Sequence, residues 1–516
     1  MRTLPSLAAA LTLATSLALS APALAHGDRD RMQQKRSDYA AGLNAPVVMS
    51  PSVSLVDTNP GSAGISGCFM KTAPLFVMSG LDSVVVHDIS NPVDPQRVGT
   101  LASLQFENEA MSCGERKVGR STQRFALIGV DLYQASPGDV EHVNDPVRGD
   151  YELIIVDVTD PTAPRIRARA PSTTSTHTVT CVVDTDCRYV YSAGDDNQVP
   201  GQGSFSIFDL TDLDHPVEVD SDPATQGLQP FRSDAVGWGG HKWNFDGAGH
   251  GVHTGAGGSY VYDVSNPLKP VEVANTGAAG DSGRDGMTNG FNNFIHHNSF
   301  QPNATAFRAG AAPSLANGNI LLVTEEDYEN PDCSTAGSFQ TWHVKRLDGS
   351  DGSIVPLAKV ELADLATYPL PAGAFCSAHW FDYHQSGLVT IGYYGGGTQI
   401  IDVSDPLAPS SHGFAWFGAS EVWDSYWVPV YNSRGVATGK KTNVAYSVDL
   451  VRGLDVLAVD VDGDSVGAVP DPALLPGGAG TDVGLTDTVP LGVLGGLGAL
   501  LVVVRRRGSS RVLPRD

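Results

Sequence analysis

One phrase recurs along this chain. An apolar, β-branched run is followed by Asp, an apolar residue, Ser or Thr, Asp or Asn, and Pro. It appears as VVVHDISNPVDP (84–95), LIIVDVTDPTAP (153–164), FSIFDLTDLDHP (205–216, which lacks the first Pro), YVYDVSNPLKP (260–270) and TQIIDVSDPLAP (398–409). The anchoring aspartates are Asp88, Asp157, Asp209, Asp263 and Asp402, and two degenerate copies carry Asp348 (WHVKRLDGSDG) and Asp460 (LDVLAVDVDGD). The apolar run reads as a strand. Asp or Asn before Pro opens a turn, because the side chain bonds the backbone and the proline ring fixes φ. A second apolar run precedes each copy, as in LFVMSG (75–80), ALIGV (126–130) and YVYSAG (189–194). Each unit has room for one strand before this pair and one after it. Four strands per unit, repeated seven times, predict an all-β, seven-bladed β-propeller over residues 46–465.

The flanking segments read differently. Residues 1–25 have the form of a secretory signal, with Arg2, an apolar run from Leu7 to Leu19, and the cleavage motif Ala23-Leu24-Ala25. Residues 26–45 are charged and expected to be disordered. Residues 466–488 form a Pro/Gly-rich linker. In 489–516, the run VPLGVLGGLGALLVVV is followed by Arg505, Arg506 and Arg507, the pattern of a membrane anchor or sorting tail with its basic cluster in the cytoplasm. The expected location is therefore outside the cytoplasm, secreted or held at the cell surface. A net charge of −24 argues against a nucleic-acid partner, which needs a basic face.

Six cysteines in an exported chain are expected to form disulfides. Cys181 and Cys187 are close enough for a hairpin bridge. Cys68 with Cys113 and Cys333 with Cys376 is the simplest pairing of the rest, among about fifteen connectivities.

The repeat resembles that of the LVIVD-repeat family, with LIIVDVTDPTAP and TQIIDVSDPLAP as close matches. That resemblance implies an exported bacterial β-propeller, often surface-anchored, and carries no reaction with it.

Four consecutive units place a histidine at about the same point before their second strand: His177, His241, His297 (in FIHHNSF, beside His296) and His379. Strand alternation lets only one of His296 and His297 face the channel, and the HNSF segment parallels HTVT and HKWN, which favours His297. Unit seven has Tyr426 there, and units one and two have Cys68 and Cys113. Innermost strands line a propeller's channel, so equivalent positions form a ring around its axis. Neutral imidazoles in such a ring suit Cu, Zn or Fe. Glu325, Glu326 and Glu421 are candidates to stand behind the ring and accept imidazole N–H groups. The plainer account is that each histidine bonds buried water and carbonyls.

A looser similarity, without an extended motif, is to propeller methanethiol oxidases (selenium-binding proteins), which hold copper with axial histidines. The segment DVDGDS (460–465) has part of a Ca²⁺-loop pattern but lacks the later glutamate, so an acidic turn is the expectation. Two functional classes follow. The first is a surface protein that binds a ligand or partner. The second is a metal-dependent, copper-type oxidoreductase.

Overall fold

The computed structural model describes residues 28–41, 47–81, 83–102, 109, 111–130, 151–193, 203–283, 290–371, 375–418 and 420–463. Seven antiparallel sheets, each built on four strands, form the blades of a propeller. Their first, innermost strands are Gly64–Phe69, Ser112–Val118, Thr178–Cys181, Gly240–Phe245, Ile295–Phe300, Phe381–Tyr383 and Val422–Tyr431, for blades one to seven.

The recurring phrase has a local cause. The backbone N–H groups of Ser90, Thr159, Thr211, Ser265 and Ser404 donate to the carboxylates of Asp88, Asp157, Asp209, Asp263 and Asp402, at 2.7–3.0 Å. A second such bond follows at once in four copies, on Asp160, Asp212, Asn266 and Asp405. Each aspartate thus ends its blade's third strand, and the paired turns swing the chain out to the fourth. The degenerate fifth copy keeps this bond, from Ser350 N to Asp348.

The strand runs are apolar throughout because both faces of a blade are buried. In LIIVD, Ile154 and Val156 pack toward blade one, while Leu153 and Ile155 pack toward blade three. Residues of opposite parity therefore serve opposite neighbours. A cluster of this kind fills the space between every adjacent pair of blades, including seven and one, where Val428, Tyr431 and Tyr446 meet Phe76, Met78 and Ile89. The outer strand of blade seven, Val53–Asn59, comes from the start of the described propeller and pairs with Gly453–Val459. The seventh unit is thus completed from the chain's other end. A short strand, Val48–Met49, adds a fifth strand to blade six.

The six cysteines pair as Cys68–Cys113, Cys181–Cys187 and Cys333–Cys376. The expectation of disorder is corrected over Asp28–Ala40, which is a helix. Its charged composition cannot hold it alone. Arg31 and Lys35, one turn apart, both pair with the buried Glu421, and Met32 inserts among Ala63, Ile65, Leu81, Tyr394, Trp423 and Leu450. At the acidic turn, Asp460 accepts a bond from Gly463 N. The signal, linker and tail segments lie outside the described residues. Among the described residues, no helix is long and apolar enough to cross a membrane.

Candidate metal centre

The Nε2 atoms of His177, His241, His297 and His379 converge at the channel axis on one carboxylate, Glu109. His297 Nε2 lies 3.2 Å and His379 Nε2 2.6 Å from its Oε1, His241 Nε2 lies 3.8 Å away, and His177 bonds its Oε2. A second carboxylate, Glu326, lies 3.6 Å from His241 Nε2 and 3.7 Å from His297 Nε2. Ligand atoms of Glu109, His241, His297 and Glu326 all fall within 4.8 Å of one another, and all four residues are buried.

The strands carry these side chains to the axis through a shared irregularity. The pairing of blade four slips between Gly240 and Lys242, and that of blade five between His296 and Asn298. His241 and His297 are the extra residues of these bulges. In a regular strand neighbouring residues face opposite ways; a bulge re-aims one of them. His241 and Lys242 thus both face the channel, as do His297 and Asn298, while Trp243 turns inward to stack on His253 at 4.4 Å. Carbonyl contacts fix the height of the ring. The Thr178 hydroxyl donates to His241 O, and Thr254 Oγ1 donates to His297 O at 2.8 Å. A glycine does the same for blade three: a Cβ on Gly129 would stand 1.7 Å from Thr176 O, so only glycine lets the His177 segment approach.

The electrostatics favour a cation. Burial alone would raise the Glu109 carboxyl, but the neighbouring His177 and His241, with hydrogen bonds from His177 and His297, hold it well below the usual carboxylate range. Burial, then the other imidazoles, pushes His241 and His297 well below the ordinary histidine value. His379 Nδ1 donates to Trp423 O at 2.7 Å, which aims Nε2 at the Glu109 oxygen 2.6 Å away. His177 and His241 set their Nε2 atoms 3.2 Å apart. The Nδ1 atoms of His241 and His297 are buried without a hydrogen-bond partner. Imidazole nitrogens and carboxylate oxygens crowd one buried point, a donor set that fits a transition-metal ion.

Aromatic residues wall the cluster. Tyr394 OH donates to Glu326 Oε1 at 2.6 Å and its ring lies 4.5 Å from that of His379. The Trp380 ring lies 4.3 Å from that of His297. Met32 of the N-terminal helix packs against Tyr394 and Trp423, which closes this end of the channel. One step further along the inner strands, the channel opens into a cavity of about 200 Å³, joined to an outer one of about 470 Å³ walled by Cys68, Cys113 and Cys181. Lys242 faces both, and burial lowers its ammonium to about 8.

Several expectations are corrected here. Glu326 stands in contact range of the imidazoles, not behind them. Glu325 turns away, since it accepts from Ser338 Oγ at 2.6 Å and from Asn293 N. Glu421 holds the helix through Arg31 Nη2 at 3.0 Å. Tyr426 lies deeper in the channel, where its hydroxyl donates to Asp424. Cys68 and Cys113 lie at that deeper level and form the bridge between blades one and two. Among the two histidines of FIHHNSF, His297 faces the axis and His296 turns into the blade, bonded to Ser259 Oγ at 2.9 Å and Phe291 O at 3.3 Å. The residue that sequence reasoning missed is Glu109. A signal for it existed, because Glu109 precedes Cys113 by the same interval as His177 precedes Cys181.

Comparison with known proteins adds little beyond this geometry. Residues 147–169 match the LVIVD repeat. No curated protein matches the chain. Among solved structures, the chain is similar to the β-propeller domain of Myceliophteria thermophila Cps50 (Swd1), with 11% identity, TM-score 0.43, and coverage of 79% of this chain and 99% of that one. It is also similar to the WD40 repeats of RRP9, with 8% identity, TM-score 0.44, and coverage of 80% and 99%.

Proposed function

We propose that this propeller is a metal-dependent oxidoreductase acting outside the cytoplasm. The observation that carries the reading is the convergence of four imidazoles and two carboxylates on one buried point of the axis. Among the described residues no cysteine is free, so the ligands are nitrogen and oxygen, a set that suits Fe, Cu or Zn. His177, His241, His297, His379, Glu109 and Glu326 would hold the ion, which would supply Lewis acidity and, for Fe or Cu, electron transfer. The protein's own residues do the rest. The Trp423 carbonyl fixes the His379 ring, Tyr394 fixes Glu326, and the aromatic wall with the helix excludes bulk water. A partner-binding surface scaffold would explain the blades but not the buried charge at their centre.

Three disulfides support an oxidising compartment, and the signal-like N-terminus and basic-tipped C-terminal tail support export with attachment to a membrane. The test is metal content by mass spectrometry on untagged protein from an oxidising compartment. The expected result is about one equivalent of a transition metal, lost when His297→Ala is combined with His379→Ala. A parent that stays metal-free after reconstitution with Cu, Zn and Fe would overturn the reading.

A further inference from the structure

Below the metal cluster, the inner cavity is lined by a cation without a counter-ion. Lys242 is 7% exposed. Its ammonium lies over the Trp380 ring, 4.8 Å from the centroid, and no described carboxylate forms an ion pair with it. The other lysines of the cavities are matched, Lys441 with Asp382 and Lys71 with Asp184. Asp424 and Glu109 act on this ammonium through space, but neither forms an ion pair with it or lines either cavity. Burying an ammonium without a partner is costly and is kept where a ligand completes it.

The neighbouring amides point the same way. Asn298 Oδ1 is filled by two donors, Asn244 Nδ2 at 2.7 Å and Ser299 N at 2.9 Å. Asn244 and Asn298 each spend one N–H on protein partners, so each has a second to offer. Donors therefore face this space beside Trp380, Phe300 and Tyr383, whose flat rings form its apolar wall. Its volume, about 200 Å³, is below that of pockets for drug-sized ligands.

We infer that this cavity binds a small organic carboxylate with a flat apolar body, its carboxylate on Lys242 and the amides of Asn244 and Asn298, its body against Trp380. The inference deepens the proposed function and rests on it only for the statement that the acid lies next to a metal ion. Lys242 thereby selects an anionic substrate in a chain of net charge −24.

The test is calorimetric titration of the full chain with benzoate, benzamide and inorganic phosphate, with metal content measured on the same samples. Benzoate is expected to bind saturably and benzamide not to bind. Lys242→Gln should weaken benzoate at least about tenfold with metal content unchanged, and Lys242→Arg should retain most of the affinity. Equal binding to wild type and Lys242→Gln, no binding of benzoate, or preference for phosphate would each overturn the inference. If Lys242→Gln does not fold, the Arg variant and the benzoate–benzamide pair still decide it. A metal-free protein that binds benzoate through Lys242 would sink the metal reading alone.

Discussion

Where the inner strands begin, the channel is shut by side chains that satisfy one another. Met32 fills an apolar socket, Arg31 and Lys35 neutralise Glu421, and Arg31 also lies 4.5 Å over the Phe375 ring. Where the same strands end, the channel widens into a cavity whose one lysine beside the histidine layer lacks a counter-ion among the described residues. The histidine–glutamate cluster lies between. The difference teaches which end admits a ligand. A closed end needs complementary groups in contact, whereas a binding end keeps polar groups unsatisfied until a ligand arrives.

Removing the carboxylate shared by both sides of the cluster should have the largest effect. Glu109→Ala is expected to reduce metal occupancy close to zero while the β-sheet circular dichroism stays unchanged. Undiminished metal by mass spectrometry would mean that Glu326 and the imidazoles suffice and that Glu109 only packs.

The open end carries a disulfide that ties two inner strands together. Cys68 and Cys113 are 45 residues apart and join the inner strands of blades one and two. Their replacement by serine should cost about 3–4 kcal/mol in denaturant unfolding, chiefly by freeing the unfolded chain. Metal content should persist, because neither sulfur touches the cluster.

The smallest effect is expected at the closed end. Glu421→Gln leaves Arg31 and Lys35, each about one-fifth exposed, without their anion, and should cost about 1 kcal/mol. The helix should then be cut faster by protease and the metal exchange faster. Burial would raise the Glu421 carboxyl, but Arg31 and Lys35 outweigh it and hold it below its ordinary value. The stabilisation is therefore fully present above pH 4.5, the ordinary glutamate value, and is lost as the pH falls through the depressed folded value. Protease protection of the helix should decline in that acidic window in the parent and lack that step in Glu421→Gln.

The repeat was legible in the sequence because its logic is local. An Asx turn needs only Asp and the N–H two residues on, and alternating burial needs only a run that is apolar on both faces. The histidine ring was partly legible, since equal placement in successive repeats becomes adjacency once the blades close. Glu109 escaped because it differs in kind from the histidines and because Cys113, four residues on, drew the comparison. The helix Asp28–Ala40 escaped because its composition predicts no stability of its own; docking supplies it.

The sequence by itself determined seven blades and an axial row of imidazoles, because strand, turn and repeat are encoded in neighbours along the chain. Tertiary structure alone decided what those imidazoles meet. Ring closure brought Glu109 across from blade two, bulges turned adjacent residues toward the same channel, and the N-terminal helix sealed one end. Each of these depends on contacts between residues far apart in the chain, whose free energy no local window contains.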